Sequence, residues 1–150
     1  MPMDKTEYAA VPLDITVRFA ETDQMGVVHH SAYVVWFEAG RVAWMAAAGM
    51  PYTEIAGAGY NLAVTDLQCR YREAIRFGDA VQVITHLGSL RSRQVEFVYE
   101  IRNPHTCAVY ADGHTRHTCV DGDGRMTRLP HWIAQRLTGN VGVETSGDKD

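Results

Sequence analysis

The stretch RFAETDQMGVVHHSAYVVWFE, residues 18–38, decides the fold, because a strand gives way to a long helix within it. On its N-terminal side, apolar Ile15, Val17 and Phe19 alternate with polar residues. This period of two predicts a strand near residues 12–20. A short polar run that ends in a glycine then breaks the strand.

The second half of the stretch begins a helix. Residues 31–48 are good helix formers with several aromatic side chains, and Ser31 is suited to cap the N-terminus. Gly49 followed by Pro51 predicts the end of the helix. The segment is apolar on nearly every side, so we expect the rest of the protein to enclose it on several sides.

Four segments downstream have strand composition and are separated by turn-forming residues. They cover residues 62–71, 80–90, 95–102 and 108–120, and a short amphipathic helix is expected after Pro130. Short turns between successive strands predict an antiparallel meander. One strand, a long helix and four strands predict an α+β fold, in which a five-stranded antiparallel sheet wraps around a long central helix.

The length and composition limit the class of protein. A chain of 150 residues has room for one ordinary domain, expected at residues 1–138, and residues 139–150 are expected to form a flexible tail. The chain is 46% hydrophobic and 21% charged, which excludes a disordered or fibrous protein. A net charge of −4 disfavours nonspecific binding to nucleic acid. A sheet with open edges predicts pairing with a second copy.

The cysteines and histidines do not form a metal-binding pattern. Cys69, Cys107 and Cys119 are odd in number and lack a CxxC pair, so we expect reduced thiols in the core. His114 and His117 are three apart in a predicted strand and would point to opposite faces. A zinc or other metal site is therefore not expected.

Two further absences bear on the class of protein. The DGDG run at residues 121–124 lacks the glutamate that closes a calcium loop, so we expect a hairpin turn there. The N-terminus has no apolar signal region, and no run of 18 apolar residues occurs. We expect a cytoplasmic protein without a membrane span.

The chemistry is concentrated at the junction between the first strand and the helix. Asp23, Gly26, His29 and His30 lie within eleven residues of sequence beside a helix N-terminus. Free N–H groups at a helix N-terminus can stabilise a developing oxyanion, and a nearby aspartate can act as a nucleophile or general base. Aspartate before glycine is also common in ordinary turns, so composition alone leaves both interpretations open.

Residues 18–38 resemble the signature of the 4-hydroxybenzoyl-CoA thioesterase-like hotdog-fold enzymes, a group that includes the Tol-Pal-associated acyl-CoA thioesterases. Phe77-Gly78-Asp79 and the segment from Ala111 to Pro130 resemble later parts of the same family, so the likeness covers about residues 14–130. The resemblance implies a hotdog fold and homodimers that assemble into homotetramers. It also implies hydrolysis of an acyl-CoA thioester to a free acid and CoA.

The resemblance implies two catalytic residues. Asp23 matches the family's catalytic carboxylate, and His30 matches the residue whose backbone N–H polarises the thioester carbonyl. Whether Asp23 attacks the carbonyl or activates a water stays open. Thiolate is a good leaving group, so no metal or organic cofactor is expected, and CoA is part of the substrate.

Further motif positions are expected to contact the substrate. Gly26 has a backbone role, Tyr33 forms a pocket wall, and Glu38 is a supporting carboxylate. His29 stands where many relatives carry an aromatic residue, so a packing or pocket-lining role is as compatible with the resemblance as a catalytic one.

The phosphates of CoA require cations at the mouth of the pocket. Arg91 and Arg93 lie on the predicted turn between two strands, and Arg125 and Arg128 follow the last strand. These arginines, Arg91 and Arg93 above all, are the candidates to meet phosphate groups near a subunit boundary. The alternative, that each is an ordinary solvated surface arginine, stays open.

Two alternatives to thioester hydrolysis remain open. One is a hydratase or dehydratase on the same fold, which would require its aspartate and histidine on a later motif that is not found. The other is a noncatalytic module that binds acyl thioesters, because a fold does not fix a function. The acyl group, and the choice between CoA and acyl carrier protein, stay undetermined.

Overall fold

Five strands and one long helix make up most of the structure, a computed structural model that describes residues 10–138. The predicted tail at residues 139–150 lies outside the described residues. In chain order the elements are β1 (Val11–Ile15), α1 (His30–Ala47), α2 (Tyr52–Gly57), β2 (Asn61–Tyr71), β3 (Val81–Leu90), β4 (Gln94–Arg102), β5 (Val109–Val120) and α3 (His131–Leu137). Within the described range, no helix has the length and apolar character needed to cross a membrane.

The sheet has the strand order β1-β3-β4-β5-β2, and every pairing is antiparallel. The predicted α+β class, with five antiparallel strands and a long helix packed on them, is confirmed. The prediction of a simple meander is right for β3, β4 and β5 and wrong for β2. This strand pairs with β5 because the connection at residues 72–80 carries the chain across the sheet before β3 begins.

The first strand is shorter than its sequence pattern predicts. It ends at Ile15, and residues Phe19–Glu21 form a single 3₁₀ turn. The backbone N–H of Arg18 donates to Glu21 Oε1 at 2.8 Å and its guanidinium donates to Oε2 at 3.3 Å, which turns the chain out of the extended conformation. The apolar alternation therefore continues past the strand without extending it, and Phe19 is 74% exposed.

Helix α1 packs on the sheet by one face. Its buried residues are Ala32, Tyr33, Trp36, Phe37, Gly40, Trp44 and Met45. The opposite stripe, Val35, Glu38, Val42 and Ala46, is exposed. The expectation that the rest of the chain encloses the helix on several sides is therefore wrong for a single chain, because one sheet covers only one face.

Gly40 sets how closely α1 approaches the sheet. A Cβ atom at this position would collide with Thr85 Oγ1 and would lie 3.2 Å from Val83 Cγ1. Phe37, one turn earlier, stacks on Tyr99 of β4 with ring centroids 4.3 Å apart and planes 8° apart. The absent side chain of Gly40 thus allows the aromatic side chains of α1 to reach the core.

The inward face of the edge strand β2 is left uncovered. Val64 and Leu67 pair with His117 and Thr115, two fully buried residues of β5, so all four side chains share the helix side of the sheet. Nevertheless Val64 is 50% and Leu67 is 40% exposed. Helix α1 contacts the Tyr71 end of this strand but does not cover Val64 and Leu67, so these inward-facing apolar side chains remain in contact with solvent.

A chain of polar side chains runs through the core beneath α1. Arg41 donates to Tyr99 Oη at 3.2 Å, Tyr99 Oη lies 2.6 Å from Thr115 Oγ1, and Thr115 Oγ1 lies 2.8 Å from His117 Nε2. A guanidinium can only donate, so Tyr99 Oη accepts from Arg41, and the arrangement in which each hydroxyl donates to the next group ends with His117 Nε2 as an acceptor. His117 is therefore neutral in this arrangement. His114 points to the other face of the sheet, as predicted.

The cysteines differ from the expectation in one respect. All three are free thiols, and Cys119 is buried in the core. Cys69 is only partly buried, and Cys107 is exposed in the turn after β4, with a φ of 64°. The prediction of a core thiol is thus wrong for Cys107, because the chain turns back toward β5 there.

The buried His117 predicts a loss of stability in acid. Burial, reinforced by the charge of Arg41, lowers its pKa from 6.5 to about 4. The unfolded chain therefore binds this proton more readily than the folded protein, and stability present above pH 6.5 is lost as the pH falls toward 4. We expect the free energy of unfolding to fall by roughly 2 to 3 kcal/mol over this range from this group alone.

Urea denaturation between pH 7.5 and pH 4 measures this dependence. His117→Gln should flatten it, because glutamine can still accept from Thr115 but does not titrate. His114→Gln, on the same strand but the opposite face, should retain the native slope. An unchanged slope in His117→Gln would contradict the assignment.

Candidate functional site

The link between β1 and α1 folds into a small antiparallel turn. Thr22 and Val28 form a β-bridge, and the Asp23 N–H donates to the Val27 carbonyl at 2.8 Å. The His29 N–H donates to the Glu21 carbonyl at 2.7 Å. These bonds bring the aspartate and the first turn of the helix to the same end of the molecule.

Asp23 uses one of its two carboxylate oxygens to hold this turn. Oδ1 accepts from the backbone N–H of Met25 at 2.8 Å and from that of Val27 at 3.3 Å. Gly26 follows with a φ of 81°, a left-handed conformation that favours glycine. Within residues 10–138, Oδ2 accepts no hydrogen bond, and the side chain is half-buried. One oxygen thus fixes the carboxylate while the other is available.

The same turn occurs a second time, after β5. Asp121 Oδ1 accepts from the N–H groups of Asp123 at 2.9 Å and Arg125 at 3.0 Å, and Gly124 has a φ of 79°. In both turns the aspartate accepts from the residues two and four positions later. The predicted hairpin turn at residues 121–124 is therefore confirmed. The turn motif alone therefore does not indicate a catalytic aspartate. Only the groups near Asp23 can distinguish it from Asp121.

The first of those neighbours is the start of α1. The helix begins at His30, with His29 as its N-cap, so the prediction that Ser31 is the cap is wrong. The His29 Nδ1 atom accepts from the Ser31 N–H at 3.1 Å, and the His29 carbonyl accepts from the Ala32 N–H at 3.0 Å. No hydrogen bond within the described residues uses the His30 N–H. This free donor is where an oxyanion could bind.

The two imidazoles stack, with ring centroids 4.1 Å apart and planes 29° apart. Both side chains are exposed. The ring of His29 has a defined structural role, because it caps the helix. The usual cap residues are serine, threonine, aspartate and asparagine, so the sequence did not indicate a histidine cap. The ring of His30 makes no side-chain hydrogen bond within the described residues.

Tyr33 and Tyr71 stand behind this helix start. Their rings meet edge to face with centroids 4.8 Å apart, and Tyr71 Oη donates to the His30 carbonyl at 2.9 Å. Burial raises the pKa of Tyr33, with smaller contributions from Cys69 and from the Asp23 carboxylate. Tyr33 is 3% exposed, and its role as a pocket wall stays a prediction. Sequence reasoning missed Tyr71, because nothing in its strand pattern marks it.

Burial also raises the pKa of Cys69, so this sulfur stays a neutral thiol and is a poor nucleophile. Glu21 holds the base of the loop, where Trp36 Nε1 donates to its Oε2 at 3.2 Å. Partial burial pushes the pKa of Glu21 upward, but the hydrogen bonds from Arg18 and Trp36 outweigh it and lower the pKa overall. Glu21 is a structural carboxylate that sequence reasoning did not single out.

Three exposed apolar side chains surround the Asp23 loop. Phe19 and Phe77 meet edge to face with ring centroids 5.7 Å apart, and Met25 at the tip of the loop is 76% exposed. The guanidinium of Arg76 reaches the Gly26 carbonyl at 3.5 Å. Exposed apolar side chains and the Arg76 guanidinium therefore lie beside the Asp23 loop.

Other predicted site residues lie away from Asp23 within one chain. Glu38 is eight residues along α1 from His30, about 12 Å of helix, and its largely exposed carboxylate pairs with Arg41 at 3.9 Å. Arg91 and Arg93 are exposed on the β3–β4 turn. Strand β3 begins at the end of the sheet that holds the site, and its ten residues place this turn about 30 Å away.

Arg125 and Arg128 lie near the same far end, because the Leu129 N–H donates to the Ser92 carbonyl at 2.8 Å. No three His, Cys, Asp or Glu side chains between residues 10 and 138 are grouped so that they could hold a metal ion.

Comparison with known proteins places this fold among the hotdog-type thioester hydrolases. The profile of the Thioesterase-like superfamily matches residues 17–137. The chain belongs to this family. A Bacillus subtilis (strain 168) protein provisionally named as an acyl-CoA thioesterase, YneP, is 33% identical over 108 residues, which cover 72% of this chain and 78% of that protein.

Solved structures agree. The hypothetical protein TT1821 from Thermus thermophilus is 42% identical, with a TM-score of 0.80 over 85% of this chain and 96% of that chain. The DHNA-CoA thioesterase from Staphylococcus aureus is 28% identical, with a TM-score of 0.79 over 90% of this chain and 96% of that chain.

The cap role of His29 gives a prediction about stability. His29→Ala removes the acceptor for the Ser31 N–H, whereas His29→Ser supplies another one. We expect the alanine variant to unfold with a free energy about 1 kcal/mol lower than that of the serine variant, as measured by urea denaturation. His30→Ala is the matched control, since that ring takes no part in the cap. Equal stability of the two His29 variants would refute the cap assignment.

Proposed function

We propose that the protein hydrolyses an acyl-CoA thioester to a free acid and CoA, with Asp23 as the reacting carboxylate. The observation that carries this proposal is that, within residues 10–138, one loop combines an Asp23 oxygen without a hydrogen bond and a helix N-terminal N–H, that of His30, without a partner. A thioester carbonyl needs both partners, a donor for its oxygen and a nucleophile or base for its carbon.

The relatives support the substrate class. The names of the Bacillus and Staphylococcus proteins refer to an acyl-CoA and to DHNA-CoA, and both proteins cover most of this chain. The apolar side chains around the Asp23 loop, Phe19, Met25 and Phe77, suit the acyl part of such a molecule.

In the proposed reaction, the carbonyl oxygen of the thioester accepts from the His30 N–H, which draws electron density from the carbonyl carbon. Asp23 Oδ2 then attacks that carbon and the C–S bond breaks, giving an aspartyl anhydride and CoA thiolate, and water hydrolyses the anhydride. Alternatively, Asp23 takes a proton from water as the water attacks. Both routes release the acid and CoA, and neither requires a metal or an organic cofactor.

The uncovered face of β2 supports a homodimer. Its apolar side chains face inward yet are exposed, and within the described residues the strand has a pairing partner on one side only. Such an edge is suited to antiparallel pairing with β2 of a second copy. A further association of dimers would give the homotetramer expected from the sequence. We place the protein in the cytoplasm, as the sequence led us to expect.

Pairing of this kind would bring Arg91 and Arg93 near a site, although within one chain they lie about 30 Å from Asp23. Antiparallel pairing sets the Tyr71 end of one β2 strand beside the Asn61 end of the other. Asn61 pairs with Val120 of β5, near the β3–β4 turn that carries Arg91 and Arg93. Arg91 and Arg93 of the partner subunit would then lie on the side of the Asp23 loop. We propose that they bind the CoA phosphates there.

Asp23→Asn tests the reacting carboxylate. Asparagine keeps an acceptor for the Met25 and Val27 N–H groups but cannot attack the carbonyl or take the proton. We expect kcat for thiol release to fall at least about a hundredfold across a panel of aromatic, short-chain and long-chain acyl-CoAs. Free thiol is measured with a chromogenic disulfide reagent.

Asp121→Asn is the matched control, because it makes the same change in the same turn motif without the helix beside it. It should retain native kcat and KM. If Asp23→Asn is as active as the native protein, Asp23 is not the reacting group. If the native protein binds acyl-CoAs without releasing thiol, it is a binding module and the proposal fails.

The phosphate contacts are tested by two thioesters that differ only in the nucleotide part of CoA. Arg91→Ala with Arg93→Ala should raise KM for an acyl-CoA about tenfold or more and leave KM for the corresponding acyl-pantetheine unchanged, because pantetheine lacks the phosphates. Equal effects on both substrates would exclude phosphate recognition.

Mixed oligomers test whether the arginines come from the partner subunit. The Asp23→Asn chain and the double arginine variant, each impaired alone, are refolded together. A dimer with one chain of each kind then holds one site with both an intact Asp23 and intact arginines from its neighbour. We expect activity at low acyl-CoA to exceed the average of the two separate variants. Activity equal to that average would place both groups on one chain.

A further inference from the structure

Tyr71 reaches from the edge strand β2 to the first turn of α1. Its hydroxyl donates to the His30 carbonyl at 2.9 Å, and its ring packs edge to face on Tyr33 at 4.8 Å. Through these contacts, the last residue of the strand holds the helix residue whose N–H is free.

The first turn of α1 has few supports of its own. It carries no acidic side chain that could satisfy its N–H groups, and its cap is an exposed histidine ring. Helix ends without strong caps fray. The carbonyl that Tyr71 grips belongs to the same peptide group as the Ser31 N–H, which donates to His29 Nδ1. Tyr71 and His29 therefore hold this peptide group from its two ends.

We propose that Tyr71 is a positioning residue for thioester hydrolysis. Its hydroxyl holds the first turn of α1 so that the His30 N–H points at the substrate carbonyl. The inference rests on the proposed function and adds a residue that acts through the backbone. An oxyanion donor is effective only when it is held about 2.7 to 3.1 Å from the developing charge, so a small loosening of this turn lowers the rate.

The state of the hydroxyl fits this role. Burial, together with the neighbouring Cys69 and Tyr33, raises the pKa of Tyr71 from 10.0 to about 12. The phenol therefore stays protonated and able to donate throughout the pH range in which the thioester is stable enough to assay. Phenolate, which cannot donate, forms only above that range.

Tyr71→Phe removes the donor and keeps the ring that packs on Tyr33. Tyr52→Phe is the matched control, because the Tyr52 hydroxyl, on a residue 41% exposed against 48% for Tyr71, donates to Asn61 Oδ1 at 2.9 Å at the opposite end of the same strand. We expect kcat and kcat/KM of Tyr71→Phe to fall about three- to tenfold, the loss of one neutral hydrogen bond, while KM changes less than about twofold. Tyr52→Phe should match the native protein in all three.

Amide hydrogen exchange supplies a readout that does not depend on activity. In α1 the Val34 N–H donates to the same carbonyl that Tyr71 grips. Tyr71→Phe should speed exchange of the Tyr33 and Val34 amides relative to the native protein and to Tyr52→Phe, and it should leave the amides of β3 and β4 unchanged. Unchanged exchange at these two amides, or unchanged kcat, would overturn the proposal. A rise in KM alone would indicate substrate contact and would also overturn it.

The two variants separate this inference from the proposed function. A loss of thiol release in Asp23→Asn with a partial loss in Tyr71→Phe supports both. Full activity in Asp23→Asn with a reduced kcat in Tyr71→Phe rejects the Asp23 mechanism and retains Tyr71. A loss in Asp23→Asn with native kcat in Tyr71→Phe rejects Tyr71 alone.

Discussion

The rest of the site depends on the contact between the two long connections of the fold. The link from β1 to α1 and the link from β2 to β3 run side by side, where the Val28 N–H donates to the Ile75 carbonyl at 2.7 Å and Val27 bridges Arg76. Both Val28 and Ile75 are buried. This contact fixes the start of α1 over one end of the sheet, so an aspartate in the first link and a tyrosine at the end of β2 can reach the same turn of helix.

The surroundings of the turn, and not the turn itself, distinguish Asp23 from Asp121. The turns at residues 23–26 and 121–124 share hydrogen bonds and a left-handed glycine, but α1 begins at His30, directly after the first turn, whereas α3 begins only at His131. In either turn, one carboxylate oxygen of the aspartate accepts hydrogen bonds from backbone N–H groups. In the first turn the carboxylate is half-buried, and within residues 10–138 its other oxygen accepts no hydrogen bond and the His30 N–H at the end of the loop has no partner. Burial of this kind strengthens electrostatic interactions that water would otherwise weaken.

The sequence predicted most of this site because its main parts are contiguous. Asp23, Gly26 and His30 are held together by eight residues of chain, so a motif is enough to find them. It could not reveal Tyr71, whose hydrogen bond to His30 spans 41 positions and depends on where β2 ends. The strand pattern gave the four later strands but not the place of β2 in the sheet. Strand order depends on where each connection takes the chain across the sheet. The local period of apolar residues contains no information about those paths.

A single chain leaves this fold incomplete on one side. Val64 and Leu67 both face the helix side of the sheet, because the strand register shifts between them, yet residues 10–138 leave them 50% and 40% exposed. The outer stripe of α1 also carries exposed valines. Apolar side chains on the inward face of a sheet lose most of their stabilising effect if they stay in water. This exposure is the observation that supports the proposed pairing of two chains along β2. Because Tyr71 lies at the end of that same uncovered strand and grips the start of α1, association of two chains along β2 would order the strand that holds the helix start. Assembly and the geometry of the oxyanion donor would then be set by one element.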